Sequence, residues 1–176
     1  VLSVRVNVDQ FYGIEIEEFP AQIAQVVLWL TDHQANQKVS DAFGVYYARL
    51  PLVTSPTIIN GNALRIDWGT VVALGRLTHI LGNPPFAGKK EQSREQKADL
   101  AEAFGPNTKT GVLDYVTAWF AKASQIASGS RVVCAFVATN SISQGEQPGA
   151  LWPALWKQGI KLHFAHRTFR WRNEGS

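Results

Sequence analysis

Apolar and polar residues alternate in blocks that predict strands followed by helices. The run from Phe11 to Ile16 is typical of a short strand, and Pro20 suits the first turn of a helix that follows it. That helix is indicated by four apolar residues at helical spacing: Ile23, Val26, Val27 and Leu30. This part of the chain therefore predicts a strand that leads into a helix.

Two further apolar runs end at polar, turn-forming residues. The run from Thr57 to Ile59 ends at Asn60, Gly61 and Asn62. The run from Leu77 to Leu81 ends at Gly82 and Asn83. Both runs have the length of short strands, and both stop where glycine and asparagine favour a turn.

The remainder of the chain repeats the alternation. Ser93 and Gln96 form a capping-box pattern before a helix that should stop at Gly105 and Pro106. A second helix is indicated by an apolar face of Val112, Val116, Trp119, Phe120 and Ala123. The continuously apolar stretch 131–138 is typical of a strand covered on both sides, and we expect a last helix over 150–159 and a last strand over 160–165. Pro153 is compatible with that helix near its first turn.

Alternating strands and helices predict one α/β domain over residues 1–176, with a mostly parallel sheet, right-handed crossovers and helices on both faces. We expect parallel strands ending near Ile16, Ile59, Leu81 and Ala138. Ligands of such sheets bind at the carboxyl ends of the strands. Glu15, Asn62 and Asn83 should then lie along one edge.

Composition and charge narrow the possibilities only slightly. The 176 residues are 45% hydrophobic and 18% charged, as in an ordinary soluble domain. A net charge of +3 permits contact with nucleic acid without requiring it. No apolar run is long enough to span a membrane, and no signal peptide is indicated, so we expect a cytoplasmic protein. The single cysteine, Cys134, is interpreted as a buried, inert thiol.

The spacing of glycines and histidines argues against a phosphate-binding loop and a histidine metal site. A phosphate-binding loop needs four residues between its glycines, whereas Gly82 and Gly88 enclose five, and Pro84 and Pro85 lack N–H donors. On a strand His163 and His166 would point to opposite faces, so they would not bind one metal ion. We therefore predict neither a phosphate loop nor a metal site.

The segment Asn83-Pro84-Pro85-Phe86 forms a rigid corner with a specific chemical capacity. Each proline fixes its own φ and restricts the residue before it, which holds the Asn83 side chain and the Pro84 carbonyl at fixed angles. Two such acceptors can take both hydrogens of a planar amino group and direct its lone pair toward an electrophile. Phe86 offers a flat face for stacking. The alternative is a plain tight turn.

Glu15 and Glu17 leave several alternatives open. The pair could act in acid–base chemistry, or a single carboxylate at a strand end could bind two ribose hydroxyls. Solvated loop acids are the common case.

Three segments in order resemble a known family. They are "FYGIEIEEF" at 11–19, "NGNAL" at 60–64 and "NPPF" at 83–86. Together they resemble the catalytic domain of adenine-N6 DNA methyltransferases, most closely the large bacterial restriction-modification enzymes. The resemblance covers nearly the whole chain. It implies a three-layer, Rossmann-like core.

The resemblance also implies roles on the cofactor side. Glu15 would hold the ribose hydroxyls of S-adenosylmethionine, and Ile16 would lie against its adenine. Asn62, where aspartate is more usual, would contact the cofactor's amino group, with Ala63 beside it.

On the substrate side, the resemblance implies that Asn83, Pro84, Pro85 and Phe86 hold and stack a flipped adenine. Phe169 would contact its other side. We expect contacts with the phosphates of double-stranded DNA from the basic residues that follow the corner and those that surround Phe169 and Trp171: Lys89, Lys90, Arg94, Arg167, Arg170 and Arg172.

The family's glycine-rich loop has no counterpart before Phe11. We therefore expect a fragment of a larger enzyme's catalytic domain, lacking the first strand and inactive alone. Two alternatives remain open, a protein glutamine-N5 methyltransferase and a non-catalytic nucleic-acid-binding module.

Overall fold

The computed structural model describes residues 5–44 and 54–169. The chain divides into two compact units, a first unit of residues 1–74 and a second unit of residues 75–176. Each unit contains a two-stranded parallel sheet with helices packed against it. The mixed α/β class and the parallel pairing of the strands are therefore confirmed.

The first unit consists mainly of two strands and a long helix. A 3-10 turn at Val8–Gln10 precedes strand β1 (Tyr12–Glu15), helix α1 (Glu18–Phe43), strand β2 (Thr57–Asn60) and the short helix α2 (Trp68–Val71). In the parallel pair Tyr12 lies opposite Thr57 and Glu15 opposite Asn60. The carboxyl ends of both strands consequently lie at the same edge.

Helix α1 begins before Pro20, which lies in its first turn as predicted. Its four predicted apolar residues, Ile23, Val26, Val27 and Leu30, are 44–58% exposed within this chain. The sheet of the first unit therefore leaves this apolar face largely uncovered within the described residues.

The second unit holds the other two strands. It runs through β3 (His79–Gly82), α3 (Arg94–Phe104), α4 (Thr117–Ala127), β4 (Val133–Phe136) and α5 (Gln147–Trp156). His79 pairs with Val133 and Gly82 with Phe136. Beyond the strands, the Val137 N–H donates to the Gly82 carbonyl at 3.0 Å. The loops that follow β3 and β4 therefore start side by side.

Three helices form the core of the second unit. Large apolar residues that are at most 2% exposed come from α3, from the segment that leads into α4 and from α5: Leu100, Leu113, Val116, Leu151 and Leu155. The predicted capping box of α3 is confirmed, because Ser93 Oγ accepts from the Gln96 N–H at 3.1 Å and Gln96 Oε1 accepts from the Ser93 N–H at 2.9 Å.

Three predictions for the second unit are wrong in detail. Pro153 lies inside α5, because that helix begins at Gln147 and already has Pro148 in its first turn. Residues 160–165 form no strand and are mostly exposed. The apolar stretch 131–138 forms a strand only at Val133–Phe136 and is mostly half-buried, since among the described residues its single partner strand is β3. One continuous, mostly parallel sheet within a three-layer domain stays a prediction.

None of the helices in the described ranges is both long and apolar enough to cross a membrane.

Candidate active site

The corner Asn83–Phe86 begins at the carboxyl end of β3. Gly82 provides the necessary room, since a Cβ atom there would lie 3.2 Å from two atoms of the Phe136 ring. Pro84 is buried, whereas Asn83 is exposed and Phe86 is 45% exposed. The corner is therefore anchored through its first proline and presents Asn83 and Phe86 to solvent.

The acceptors of the corner are not used by the protein. Within residues 5–44 and 54–169, no hydrogen bond engages the Asn83 amide or the Pro84 carbonyl. Asn83 and Pro84 thus retain two oxygen acceptors on a backbone whose φ angles are restricted by proline.

The loop after Phe86 is fastened to the segment that precedes α4. The Ala87 carbonyl accepts from the Tyr115 N–H at 2.9 Å. Buried Gln92 donates through Nε2 to the Leu113 carbonyl at 2.9 Å. The Lys89 N–H donates to Asp114 Oδ1 at 3.1 Å. Backbone and side-chain bonds therefore fix the loop immediately beyond the corner.

Asp114 is a charged residue of this site that the sequence interpretation missed. It is 8% exposed, and its Oδ2 accepts from Ser141 Oγ at 2.5 Å and from Thr139 Oγ1 at 3.4 Å. Its backbone N–H donates to Gln147 Oε1 at 3.0 Å. Burial alone would raise the pKa of Asp114, but hydrogen bonds from Ser141, Gln147, the Lys89 N–H and Thr139 outweigh burial and lower that pKa. The carboxyl group is therefore ionised at neutral pH.

Two open cavities lie beside the loop that follows the corner. One of about 320 Å³ is lined by Phe86, Gly88, Lys89, Lys90, Glu91 and Asp114. The other, of about 420 Å³, lies between Lys89 and residues 141–147. Both are shallow and open to solvent.

At the edge of the first unit's sheet, the ends of β1 and β2 are tied together. Asn60 Nδ2 donates to the carbonyls of Glu15 at 3.2 Å and Ile16 at 2.9 Å. The half-buried Glu15 carboxylate accepts from the Glu17 N–H at 3.2 Å, while Ile16 is 63% exposed. A carboxylate and an apolar side chain therefore lie next to each other at this edge.

Asn62 shapes the turn beyond β2. Its Oδ1 accepts from the Leu64 N–H at 2.9 Å, and its carbonyl accepts from the N–H groups of Arg65 and Ile66 at 3.0 Å. The Ala63 carbonyl accepts from Trp68 Nε1 at 2.8 Å. Glu15 and Asn62 thus belong to one edge of one sheet, as predicted. That Asn83 shares this edge stays a prediction.

The family model of the MmeI DNA-methyltransferase domain matches residues 1–176. The chain belongs to this family.

Two relatives agree with this MmeI-type assignment. The chain is 39% identical over 171 residues to DNA methyltransferase A of Bacillus subtilis (strain 168), covering 96% of this chain and 20% of that protein. It is 57% identical to the Type IIL restriction-modification enzyme MmeI, solved in complex with DNA, with a TM-score of 0.90 over 98% of this chain and 23% of the other. The chain spans about a fifth of the length of these relatives.

The residues predicted to contact DNA differ in charge pairing and in exposure. Lys89 Nζ lies 3.0 Å from Glu146 Oε2 in an exposed ion pair, so its charge is partly neutralised, whereas Lys90 is exposed and has no ion pair in the described ranges. Phe169 is 60% exposed in a stretch without regular structure. Arg170, Trp171 and Arg172 lie outside the described residues. The DNA roles of all these residues stay predictions.

The remaining candidate chemistries are less informative. In the part of the chain that the structure describes, no group of three or more His, Cys, Asp or Glu side chains is placed to hold a metal ion. Cys134 is half-buried, and burial raises the pKa of its thiol, which favours the unreactive protonated form.

Proposed function

We propose that this chain forms the methyl-transfer site of a larger restriction-modification enzyme, which methylates the N6 of adenine in DNA with S-adenosylmethionine. The observation that carries the proposal is the pair of unused acceptors on Asn83 and Pro84 beside the exposed ring of Phe86. Membership of the MmeI family and the names of the two relatives support methylation of DNA as the parent activity.

The corner activates a poor nucleophile by orientation. The N6 amino group of adenine is planar because its lone pair is conjugated to the ring. Oxygen atoms of Asn83 and Pro84 accept its two hydrogens and thereby direct the lone pair toward the methyl donor. Phe86 stacks on a base that has been flipped out of the duplex. As the new N–C bond forms, one N6 proton is released to solvent.

The end of β1 fits the ribose and adenine of the cofactor. The Glu15 carboxylate provides acceptors for two ribose hydroxyls, and exposed Ile16 provides an apolar surface for an adenine ring. Asn62 and Ala63 complete this side in the proposal. When bound, S-adenosylmethionine would supply an electrophilic methyl group, with a neutral thioether as the leaving group.

We further propose that residues 1–176 contribute most of a three-layer, Rossmann-like domain. Lys89, Lys90 and Phe169 then contact double-stranded DNA, and the full-length protein acts in the cytoplasm on DNA. The activity is proposed for the full-length protein, since the chain spans about a fifth of the length of its relatives.

The test is nucleoside analysis after incubation of the full-length protein with DNA and S-adenosylmethionine. We expect N6-methyladenine with the wild type and with Asn107→Ala, which changes an exposed asparagine distant in sequence from the corner, but not with Asn83→Ala. A methylated protein glutamine without N6-methyladenine would support the glutamine alternative. Unchanged DNA methylation in Asn83→Ala would contradict the proposed role of the corner.

A further inference from the structure

Asp114 takes no part in the reaction proposed above, yet its carboxylate joins two loops beside the corner. Oδ1 accepts from the Lys89 N–H at 3.1 Å, and Oδ2 accepts from Ser141 Oγ at 2.5 Å. Thr139 Oγ1 lies 3.4 Å from the same Oδ2 and 2.6 Å from Ser141 Oγ. One buried side chain therefore connects the loop after Phe86 to the loop after β4.

These connections restrain the corner from its carboxyl-terminal side. Buried Pro84 anchors the corner on one side of Phe86, and the Ala87 carbonyl, held by the Tyr115 N–H at 2.9 Å, anchors it on the other. The bond from Lys89 to Asp114 extends that second anchor. It reaches the loop that follows β4, the strand paired with β3. The position of the Phe86 ring therefore depends on both neighbouring loops.

The strength of this connection depends on the charge of Asp114. Burying a carboxylate is unfavourable unless donors surround it, and here donors come from Lys89, Thr139 and Ser141. Hydrogen bonds to an ionised acceptor are about twice as strong as neutral ones. Because the ionised state is favoured, Asp114 is suited to hold the two loops together.

We propose that Asp114 is a positioning residue for methyl transfer, which sets Phe86 relative to Asn83 by holding loop 87–89 against segment 139–141. This inference rests on the proposed function of the corner. It gives Asp114 no contact with substrate or cofactor. Substitution of a positioning residue should lower the rate of the chemical step without a comparable loss of substrate or cofactor binding.

The main variant is Asp114→Asn, which keeps the shape of the side chain. One of its two oxygens becomes an NH₂ group that faces either the Lys89 N–H, a repulsive donor pair, or the hydroxyls of Thr139 and Ser141. Since a misplacement of about 1 Å costs on the order of 100-fold in rate, we expect kcat of the full-length protein to fall by about 10- to 100-fold. The KM values for DNA and S-adenosylmethionine should change by no more than about twofold, because the binding groups remain.

A pair of serine variants separates positioning from general stability. Ser141→Ala removes the hydroxyl that donates to Asp114 Oδ2, and it should lower kcat as Asp114→Asn does. Ser124→Ala is the matched control, because Ser124 is 3% exposed and its Oγ lies 2.8 Å from Gln158 Oε1 in the same unit. We expect Ser124→Ala to lower the melting temperature without changing kcat. The double variant Asp114→Asn/Ser141→Ala should lose less kcat than the product of the two single losses.

The inference would be overturned if Asp114→Asn and Ser141→Ala fold and keep the wild-type kcat. It would also be overturned if Ser141→Ala and Ser124→Ala lose kcat equally. If Asp114→Asn does not fold, the comparison of kcat between Ser141→Ala and Ser124→Ala still tests the inference. Asn83→Ala is measured in parallel. If Asn83→Ala loses methylation while Asp114→Asn keeps the wild-type kcat, this inference alone is refuted. If Asn83→Ala retains methylation, the proposed function is refuted.

Discussion

The turn after β2 and the corner after β3 are built from similar residues but use them differently. Each follows a short parallel strand, and each contains an asparagine beyond the last strand residue. In the turn, Asn62 accepts through its side chain from the Leu64 N–H and thereby shapes its own backbone. In the corner, prolines determine the backbone and the amide of Asn83 makes no hydrogen bond with any described residue.

This difference shows how a polar residue becomes available for chemistry. A side chain that stabilises a turn has an acceptor already engaged. Because Pro84 and Pro85 restrict the corner through covalent geometry, no side-chain oxygen of Asn83 is needed to hold it. Substitutions in the two regions should therefore affect different quantities, the rate of methyl transfer in the corner and stability or cofactor binding at the other edge.

The largest expected effect is on the corner itself. Asn83→Ala removes one of two acceptors that act in the transition state, and loss of one such group costs on the order of 10²- to 10³-fold in kcat. The melting temperature should be unchanged, because Asn83 is exposed and makes no described hydrogen bond. Steady-state kinetics and thermal unfolding of the full-length protein provide the check. A lower melting temperature with normal kcat would mean that Asn83 is structural rather than catalytic.

A smaller effect is expected from Glu15→Gln at the edge of the first unit's sheet. Hydrogen bonds to a charged acceptor contribute about 1.5–3 kcal/mol, so loss of the charge should raise KM for S-adenosylmethionine by roughly tenfold or more. At saturating cofactor kcat should stay near the wild-type value. Initial rates over a range of cofactor concentrations measure this. A fall in kcat with unchanged KM would assign Glu15 to catalysis instead.

Asn62→Ala should affect stability and, given the proposed cofactor contact, the KM for S-adenosylmethionine rather than kcat. It removes the bond to the Leu64 N–H, and loss of a comparable local side-chain cap costs about 1 kcal/mol. We expect lower resistance to urea, with kcat at saturating cofactor within about twofold of the wild type. Asn107→Ala is a suitable control for the removal of an exposed asparagine. If kcat of Asn62→Ala fell as far as that of Asn83→Ala, the proposed difference in role between Asn62 and Asn83 would be contradicted.

The smallest expected effect depends on pH. Burial opposes ionisation of Asp114, but its hydrogen bonds prevail and place its pKa below the ordinary 3.8. A carboxyl whose pKa is lowered by folding stabilises the protein above the unfolded-state pKa, and that contribution is lost as pH falls through the folded-state pKa. The difference in unfolding free energy between wild type and Asp114→Asn should thus be constant above about pH 5 and shrink below about pH 4. A difference that grew in acid would contradict the ionised state of Asp114.

Local signals explain which features could be predicted from the sequence. The four confirmed strands and the capping box of Ser93 and Gln96 depend on residues close together in the chain. The predicted strand over 160–165 is wrong because an apolar run does not specify a partner strand. The predicted place of Pro153 in the first turn is wrong because helix boundaries depend on capping and packing, which extend α5 back to Gln147.

The features that sequence interpretation missed depend on distant contacts. Asp114 meets Lys89 and Ser141, which are 25 and 27 residues away in the chain. Lys89 pairs with Glu146 across 57 residues, so its apparent freedom as a DNA contact could not be judged from local charge. An aspartate directly after the apolar Leu113, three residues before the first residue of the largely buried helix α4, is the one signal that could have drawn attention to Asp114.

The most direct measurement is the single-turnover rate of methyl transfer to adenine by full-length Asn83→Asp and Asn83→Leu. Both variants keep the branching and the number of side-chain heavy atoms of asparagine, but aspartate keeps an oxygen acceptor and leucine has none. If acceptance of the amino hydrogens is the role of Asn83, Asn83→Asp retains a rate at least about tenfold above that of Asn83→Leu, consistent with the cost of losing one preorganised group. Equal rates for the two variants, or a wild-type rate for Asn83→Leu, would contradict the central claim.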